Sequence, residues 1–187
     1  SAATTAVANV NDEPTGNVTI TGTASQGQTL TADPSAIADA DGLGSNGFSY
    51  QWKADGADIS GATASTFALT QEQVGKAITV VASYTDGQGT AESLTSAATT
   101  AVTNSNDSPT GAVTITGTAT QGETLTADPS AIADADGLGS FSYQWQADGT
   151  PITGATASTL VLTQDQVGTA ITVVASYTDG FGESESL

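Results

Sequence analysis

The chain is written twice. Ser1 to Val7 (Ser-Ala-Ala-Thr-Thr-Ala-Val) returns letter for letter as Ser96 to Val102, and Asp33 to Ser45 returns as Asp128 to Ser140. After Ser45 the first copy carries Asn46 and Gly47, which the second lacks; the copies then stay in step from Tyr50/Tyr143 through Trp52/Trp145 to Leu94/Leu187. A period of about 95 residues exceeds the 20 to 50 residues of solenoid repeats, so each copy is long enough to bury a core of its own. Two small domains in line are expected, not a stacked superhelix. Cutting at the pairs Asn11-Asp12 and Asn106-Asp107 gives repeat 1 as residues 11–105 and repeat 2 as residues 106–187. Residues 1–10 then read as the final strand of a preceding repeat, and repeat 2 lacks most of its own closing strand.

Charge narrows the partners. Twenty Asp and Glu against two Lys (Lys53 and Lys76) and no Arg leave a net charge of -18. Such a chain repels nucleic acid and anionic membrane surfaces and attracts cations. Acidity of this degree without apolar residues would mean disorder, but 37% of the chain is hydrophobic and those residues are periodic, so folded domains with charged loops are expected. Cys, Met and His are absent, which removes disulfides, thiolate and imidazole chemistry and the usual zinc ligands. No apolar run reaches the roughly 18 residues of a membrane helix, so no membrane insertion is expected.

Local patterning points to strands. Phe48, Tyr50 and Trp52 alternate with Ser49, Gln51 and Lys53, and Ile78, Val80, Ala82 and Tyr84 alternate with Thr79, Val81, Ser83 and Thr85. Shorter alternations at Val18/Ile20, Leu30/Ala32 and Phe67/Leu69 are bounded by Gly, Pro, Asp or Asn, and Asp55-Gly56 and Asp86-Gly87 read as tight turns. Only Thr70 to Gly75 has the makings of a helical turn. About seven short strands per copy predict an all-β fold, two tandem β-sandwich domains without disulfides. Within it Trp52 and Trp145 are expected in the core and not as sugar-stacking platforms, Tyr84 and Tyr177 are expected to be buried, and Glu92, Glu183 and Glu185 are expected to keep the last strand soluble.

The run Tyr50 to Thr63, followed by Phe67 to Thr70 and Val74 to Val80, resembles strands C through F of an immunoglobulin-like domain, with Trp52 as its core tryptophan and Trp145 as the counterpart. Leu30 or Ala32 and Val80 stand where antibody domains carry bridging cysteines. A closer resemblance covers nearly the whole period. Asn9 to Gly16, Gly27 to Ala32, Asp39 to Gly42 and Ser83 to Gly87 are similar to tandem repeats of giant secreted bacterial adhesins of the RTX type. The resemblance implies a secreted, cell-surface extender, often stiffened by calcium, whose partners are neighbouring repeats of the same chain.

In an immunoglobulin-like sandwich the start of the first strand, the B–C loop and the F–G loop share one pole. Asn11, Asp12, Asp39, Asp41 and Asp86 are therefore expected to converge, and so are Asn106, Asp107, Asp134, Asp136 and Asp179 in repeat 2. Calcium takes about six to eight oxygen ligands from carboxylates, amides and carbonyls, which these loops supply. The ion is expected to act at the junction Asn104 to Asp107, holding the joint straight. Asp and Asn are also ordinary turn residues, and Asp55-Gly56 and Asp148-Gly149 are read only as turns. No activated nucleophile or paired acid and base is recognisable, so no enzymatic activity is expected. Two other readings stand beside the extender: a glycan- or protein-binding module, and a filament subunit in which Ser1 to Val10 of one molecule completes the open edge of another.

Overall fold

The computed structural model describes residues 2–187. The chain forms two compact units, Ser1–Ser105 and Asn106–Leu187, each an all-β sandwich. Unit 1 contains β1 (Thr19–Thr21), β2 (Thr29–Asp33), β3 (Ser49–Ala54), β4 (Ala57–Asp58), β5 (Thr66–Ala68), β6 (Ile78–Thr85) and β7 (Ala91–Thr95). They form a three-stranded sheet, β1-β2-β5, and a four-stranded sheet, β4-β3-β6-β7, all antiparallel. This is the immunoglobulin-like arrangement in which successive strands switch between two facing sheets. Unit 2 repeats it with β8 (Thr114–Thr116), β9 (Thr124–Asp128), β10 (Ser142–Ala147), β11 (Thr150–Pro151), β12 (Thr159–Val161), β13 (Ile171–Thr178) and β14 (Ser184–Ser186). Its sheets are β12-β9-β8 and β11-β10-β13-β14.

The alternation in sequence becomes a burial pattern. Along β6, Ile78, Val80, Ala82 and Tyr84 are buried while Thr79, Val81 and Ser83 are half-buried. Its central partner β3 brings Trp52 opposite Val80. Trp52 is fully buried, stacks on Phe67 with ring centroids 5.7 Å apart, and donates its indole N–H to the Ala64 carbonyl at 2.9 Å. Trp145 is fully buried as well and donates to the Ala157 carbonyl. Leu30 and Val80, the candidates for the cysteine positions, are both fully buried in the unit 1 core. Each such aliphatic side chain contributes roughly 1.5 to 3 kcal/mol by burial, so apolar packing takes the place of a disulfide. The Asp55-Gly56 turn joins β3 to β4 with positive φ at both residues (47° and 82°), the backbone that a two-residue hairpin of type I′ requires. Thr70 to Gly75 holds a short 3-10 turn, Gln71–Gln73, in which the Gln73 side chain accepts the Thr70 N–H at 3.0 Å.

The units differ at one edge. In unit 1 the residues after β7 run back along β6. The Ser96 amide donates to the Val80 carbonyl and Ser96 Oγ accepts the Val80 N–H at 3.0 Å. Thr99 repeats that pair of bonds with Ile78, so hydroxyl oxygens fill positions that carbonyls hold in a regular ladder. Val102 then bridges Val74, donates to the Lys76 carbonyl and enters the core, 2% exposed. Unit 2 has no such segment among the described residues. Its buried side chains fall into two clusters where unit 1 has one, and Val167, the counterpart of Val74, is 56% exposed.

Each unit carries one tryptophan, which lets the two be read apart. In dilute solution, Trp145→Phe reports unit 1 through Trp52 and Trp52→Phe reports unit 2 through Trp145. Urea unfolding followed by fluorescence is expected to give unit 2 the lower midpoint, because fewer of its apolar side chains are buried. Coincident midpoints would contradict this.

Candidate metal centre

The acidic loops of each unit meet at one pole. In unit 1 the Asp39 to Gly42 turn between β2 and β3 is closed by the Asp41 N–H on Asp39 Oδ1 at 2.8 Å and the Gly42 N–H on the Asp39 carbonyl. Gly87, at the start of the β6–β7 loop, donates its N–H to the Asp41 carbonyl at 3.1 Å. The two loops approach so closely that a Cβ on Gly87 would lie 2.4 Å from the Asp41 carbonyl oxygen. Only glycine fits this contact. Gly180 meets Asp136 in unit 2 in the same way, at 2.5 Å. The incoming segment joins them: the Asp12 N–H donates to Asp41 Oδ2 at 2.8 Å, and the Asp107 N–H to Asp136 Oδ2 at 2.7 Å.

Within each pole the carboxylates have different partners. Asp39 accepts the Tyr84 hydroxyl at 2.5 Å, and Asp134 accepts the Tyr177 hydroxyl. Burial, followed by that hydrogen bond and the negative charge of Asp39, Glu92 and Asp86, pushes the Tyr84 phenol well above its ordinary value. The same causes act on Tyr177 through Asp134, Glu185 and Asp179. Asp86 is 5% exposed and turns Oδ1 toward the N–H groups of Gln88 and Thr90, at 2.9 and 2.7 Å. Burial alone would raise its carboxyl; the backbone donors Thr90, Gln88 and Gly89 outweigh it and hold the group below its ordinary value. Asp179 accepts from Phe181 and Glu183 in the same manner.

One oxygen on several of these groups has no donor. Asp86 Oδ2 in unit 1, and Asp136 Oδ1 and Asp179 Oδ2 in unit 2, are buried with no hydrogen-bond partner. Asp136 and Asp179 are 4% and 7% exposed. A buried carboxylate oxygen without a donor is costly, and the ordinary remedies are a proton, a water or a cation. Among the described residues no three His, Cys, Asp or Glu side chains form a set able to hold a metal ion by themselves. Any ion here would also need carbonyl or amide oxygens, which calcium accepts readily.

Sequence reasoning named the loops that meet at this pole and overlooked one pair of residues. Asn11, Asp12, Asp39, Asp41 and Asp86 come together, as do Asn106, Asp107, Asp134, Asp136 and Asp179. Asn104, expected to act with Asn106 and Asp107 at the junction, is the next-to-last residue of unit 1. It lies between Thr103, which bonds the Ala24 carbonyl, and Ser105, which bonds Gln26 Oε1. Those partners precede β2, whereas Asp39 and Asp41 follow it, so the length of the sandwich separates them. Asn104 Oδ1 is nonetheless buried without a partner. The overlooked residues are Glu92 and Glu185, expected only to keep an edge soluble. Glu92 accepts the Asn11 amide at 2.9 Å and faces Tyr84 across the strand pair; Glu185 does the same with Asn106 and Tyr177. Their signal was register: counting back from the Asp86 turn puts Glu92 directly opposite Tyr84.

Positive charge is scarce at the pole. Of the two lysines, Lys53 pairs with Asp58 at 2.6 Å on the hairpin of β3 and β4. No protein-family model matches the chain, and no curated protein matches its sequence.

The lowered Asp86 carboxyl makes a testable contribution to stability. Because the folded value is depressed, the contribution is fully present above the ordinary 3.8 and is lost as pH falls through the folded value. Asp86→Asn removes the charge while keeping an oxygen for Gln88 and Thr90. The melting temperature of unit 1, read through Trp52 in chelator, is expected to differ between parent and variant at neutral pH, with the gap closing in acid. A gap that stays constant down to acid unfolding would contradict this.

Proposed function

We propose that the chain is a structural extender, a calcium-stiffened pair of immunoglobulin-like repeats from a large secreted bacterial surface adhesin. The observation that carries the metal is the set of buried carboxylate oxygens lacking donors, Asp86 Oδ2, Asp136 Oδ1 and Asp179 Oδ2. Calcium is the hard, oxygen-seeking cation suited to such atoms, taking carboxylates, amides and carbonyls at about 2.3 to 2.6 Å. Asp41 and Asp86 would hold it in unit 1, with Asp136 and Asp179 in unit 2. Asn11 and Glu92, or Asn106 and Glu185, stand beside them.

The ion would supply charge balance and stiffness. It would neutralise part of the acidic pole and tie the incoming segment, Asn11-Asp12 or Asn106-Asp107, to the two loops of its own unit. A repeat fixed where its chain enters has less freedom to swing on its linker, which is what a stalk requires. Near-verbatim duplication supports the same reading, because a part copied without change serves length better than it serves a unique binding site. The proposed location is the bacterial cell surface. Absence of cysteine suits an oxidising exterior.

Calorimetric titration of the metal-free chain with calcium is expected to give saturable binding and a raised melting temperature, with a stabilisation of about 2.7 kcal/mol when free calcium is a hundredfold above Kd. Asp179→Asn replaces the unpartnered oxygen or its neighbour with an amide. It is expected to abolish the calcium-dependent gain of unit 2, read through Trp145, while leaving that of unit 1 in place. Absence of binding heat together with an unchanged melting temperature would remove calcium from the proposal.

A further inference from the structure

We infer that Asn46-Gly47 is a site of self-modification, at which the Asn46 side chain closes on the backbone nitrogen of Gly47 and reopens as a mixture of aspartate and isoaspartate. These two residues are the insertion in the loop between β2 and β3; in unit 2 Ser140 is followed directly by Phe141, so the site has no equivalent there. In the first step the Gly47 nitrogen gives up its proton and bonds to Asn46 Cγ. The Cγ–Nδ2 bond breaks, and the amide nitrogen leaves with that proton as ammonia. Water then opens the five-membered imide. Opening at the Cγ–N bond gives aspartate, and opening at the original peptide bond gives isoaspartate, whose chain runs through Cγ. Water is the only co-reactant.

Sequence and geometry select this pair. Asn46 is the one asparagine that precedes glycine; Asn9, Asn11, Asn17, Asn104 and Asn106 precede Val, Asp, Val, Ser and Asp, whose side chains crowd the attacking nitrogen. Both Asn46 and Gly47 are exposed and lie outside any strand. Among the described residues the Gly47 N–H has no hydrogen-bond acceptor, so no bond must break before the nitrogen turns toward Cγ. Gly47 has φ of 71°, and nothing lies within 4 Å of the place its Cβ would take. The loop therefore has room both to form the ring and to admit water.

Asp-Gly pairs can close the same ring, and the fold restrains theirs. The Gly42 N–H is held by the Asp39 carbonyl and the Gly87 N–H by the Asp41 carbonyl, with Gly137 and Gly180 held in the same way in unit 2. In the two hairpin turns it is the acid that is engaged: Asp55 Oδ1 accepts the Ala77 N–H and Asp148 Oδ1 the Ala170 N–H, each at 2.9 Å. An ionised carboxylate is also a poorer electrophile than an amide. The product matters because of where Asn46 stands. With Tyr84, Glu92 and Ser93 it lines a groove of about 530 Å³, on the side of the acidic pole. Conversion adds a negative charge to a wall that already carries Glu92, and does so in unit 1 only. Two repeats that begin nearly alike thus diverge in charge as the chain ages.

The test holds the chain for weeks in warm, mildly alkaline buffer with chelator, so that its outcome is separate from that of the calcium proposal. Anion exchange is expected to show a more acidic species that grows with time. Cleavage after Lys53 and tandem mass spectrometry of the peptide are expected to place a gain of about 1 Da at residue 46, with isoaspartate alongside aspartate. Asn46→Gln keeps an amide before Gly47 but must close a six-membered ring, and is expected to form the species about tenfold more slowly or slower still. Deleting both residues gives the loop the length with which unit 2 already folds, and is expected to abolish the species, with the urea midpoint read through Trp52 reporting that unit 1 is intact. The inference is overturned if no acidic species grows in the parent, if the gain maps chiefly to another residue, if aspartate forms without isoaspartate, or if Asn46→Gln converts as fast as the parent.

Discussion

Packing of two sheets around a single tryptophan holds each unit together, and every other feature leans on it. Trp52 lies on the central strand of the four-stranded sheet, opposite Val80, with Leu30 in the same core and its indole N–H tied to Ala64. No covalent link connects the sheets. The geometry of the loops is therefore only as fixed as the apolar contacts beneath them. Small β domains without a disulfide have little stability in reserve.

On that platform the acidic pole has the organisation of a built structure. Glycine at Gly87 and Gly180 lets two loops touch backbone to backbone, and each carboxylate is divided between a donor-bearing oxygen and, at Asp86, Asp136 and Asp179, a buried oxygen with none. Repulsion among such groups at a net charge of -18 favours separation, yet backbone amides from Asp12, Thr90 and their equivalents hold them together. Amides can orient a carboxylate but cannot cancel its charge. That residue of charge is the physical argument for a divalent cation at this pole.

Sequence identity between the repeats does not make the units equal. Val74 and Val167 occupy equivalent positions, and only the first is covered, because Val102 crosses it. Burial at such a site depends on a segment distant in the chain, and the same side chain is core in one unit and surface in the other. The buried side chains of unit 2 fall into two clusters, Leu125, Trp145 and Val173 in one and Ile132, Ala175 and Tyr177 in the other, with Val113 and Tyr143 packed against both.

The sequence by itself determined the class of fold, the duplication, the strand faces and the burial of Trp52 and Trp145, because alternation with a period of two and Asp-Gly turn chemistry are local properties. It also named the loops whose acids would meet, since an immunoglobulin-like order places them at one end. Only the tertiary structure decided that Glu92 reaches Asn11 and faces Tyr84, that Asn104 lies at the far end of its unit, and which carboxylate oxygens are left without a donor. Those outcomes depend on cross-strand register and on the approach of loops tens of residues apart. No window of sequence contains both partners of such a contact.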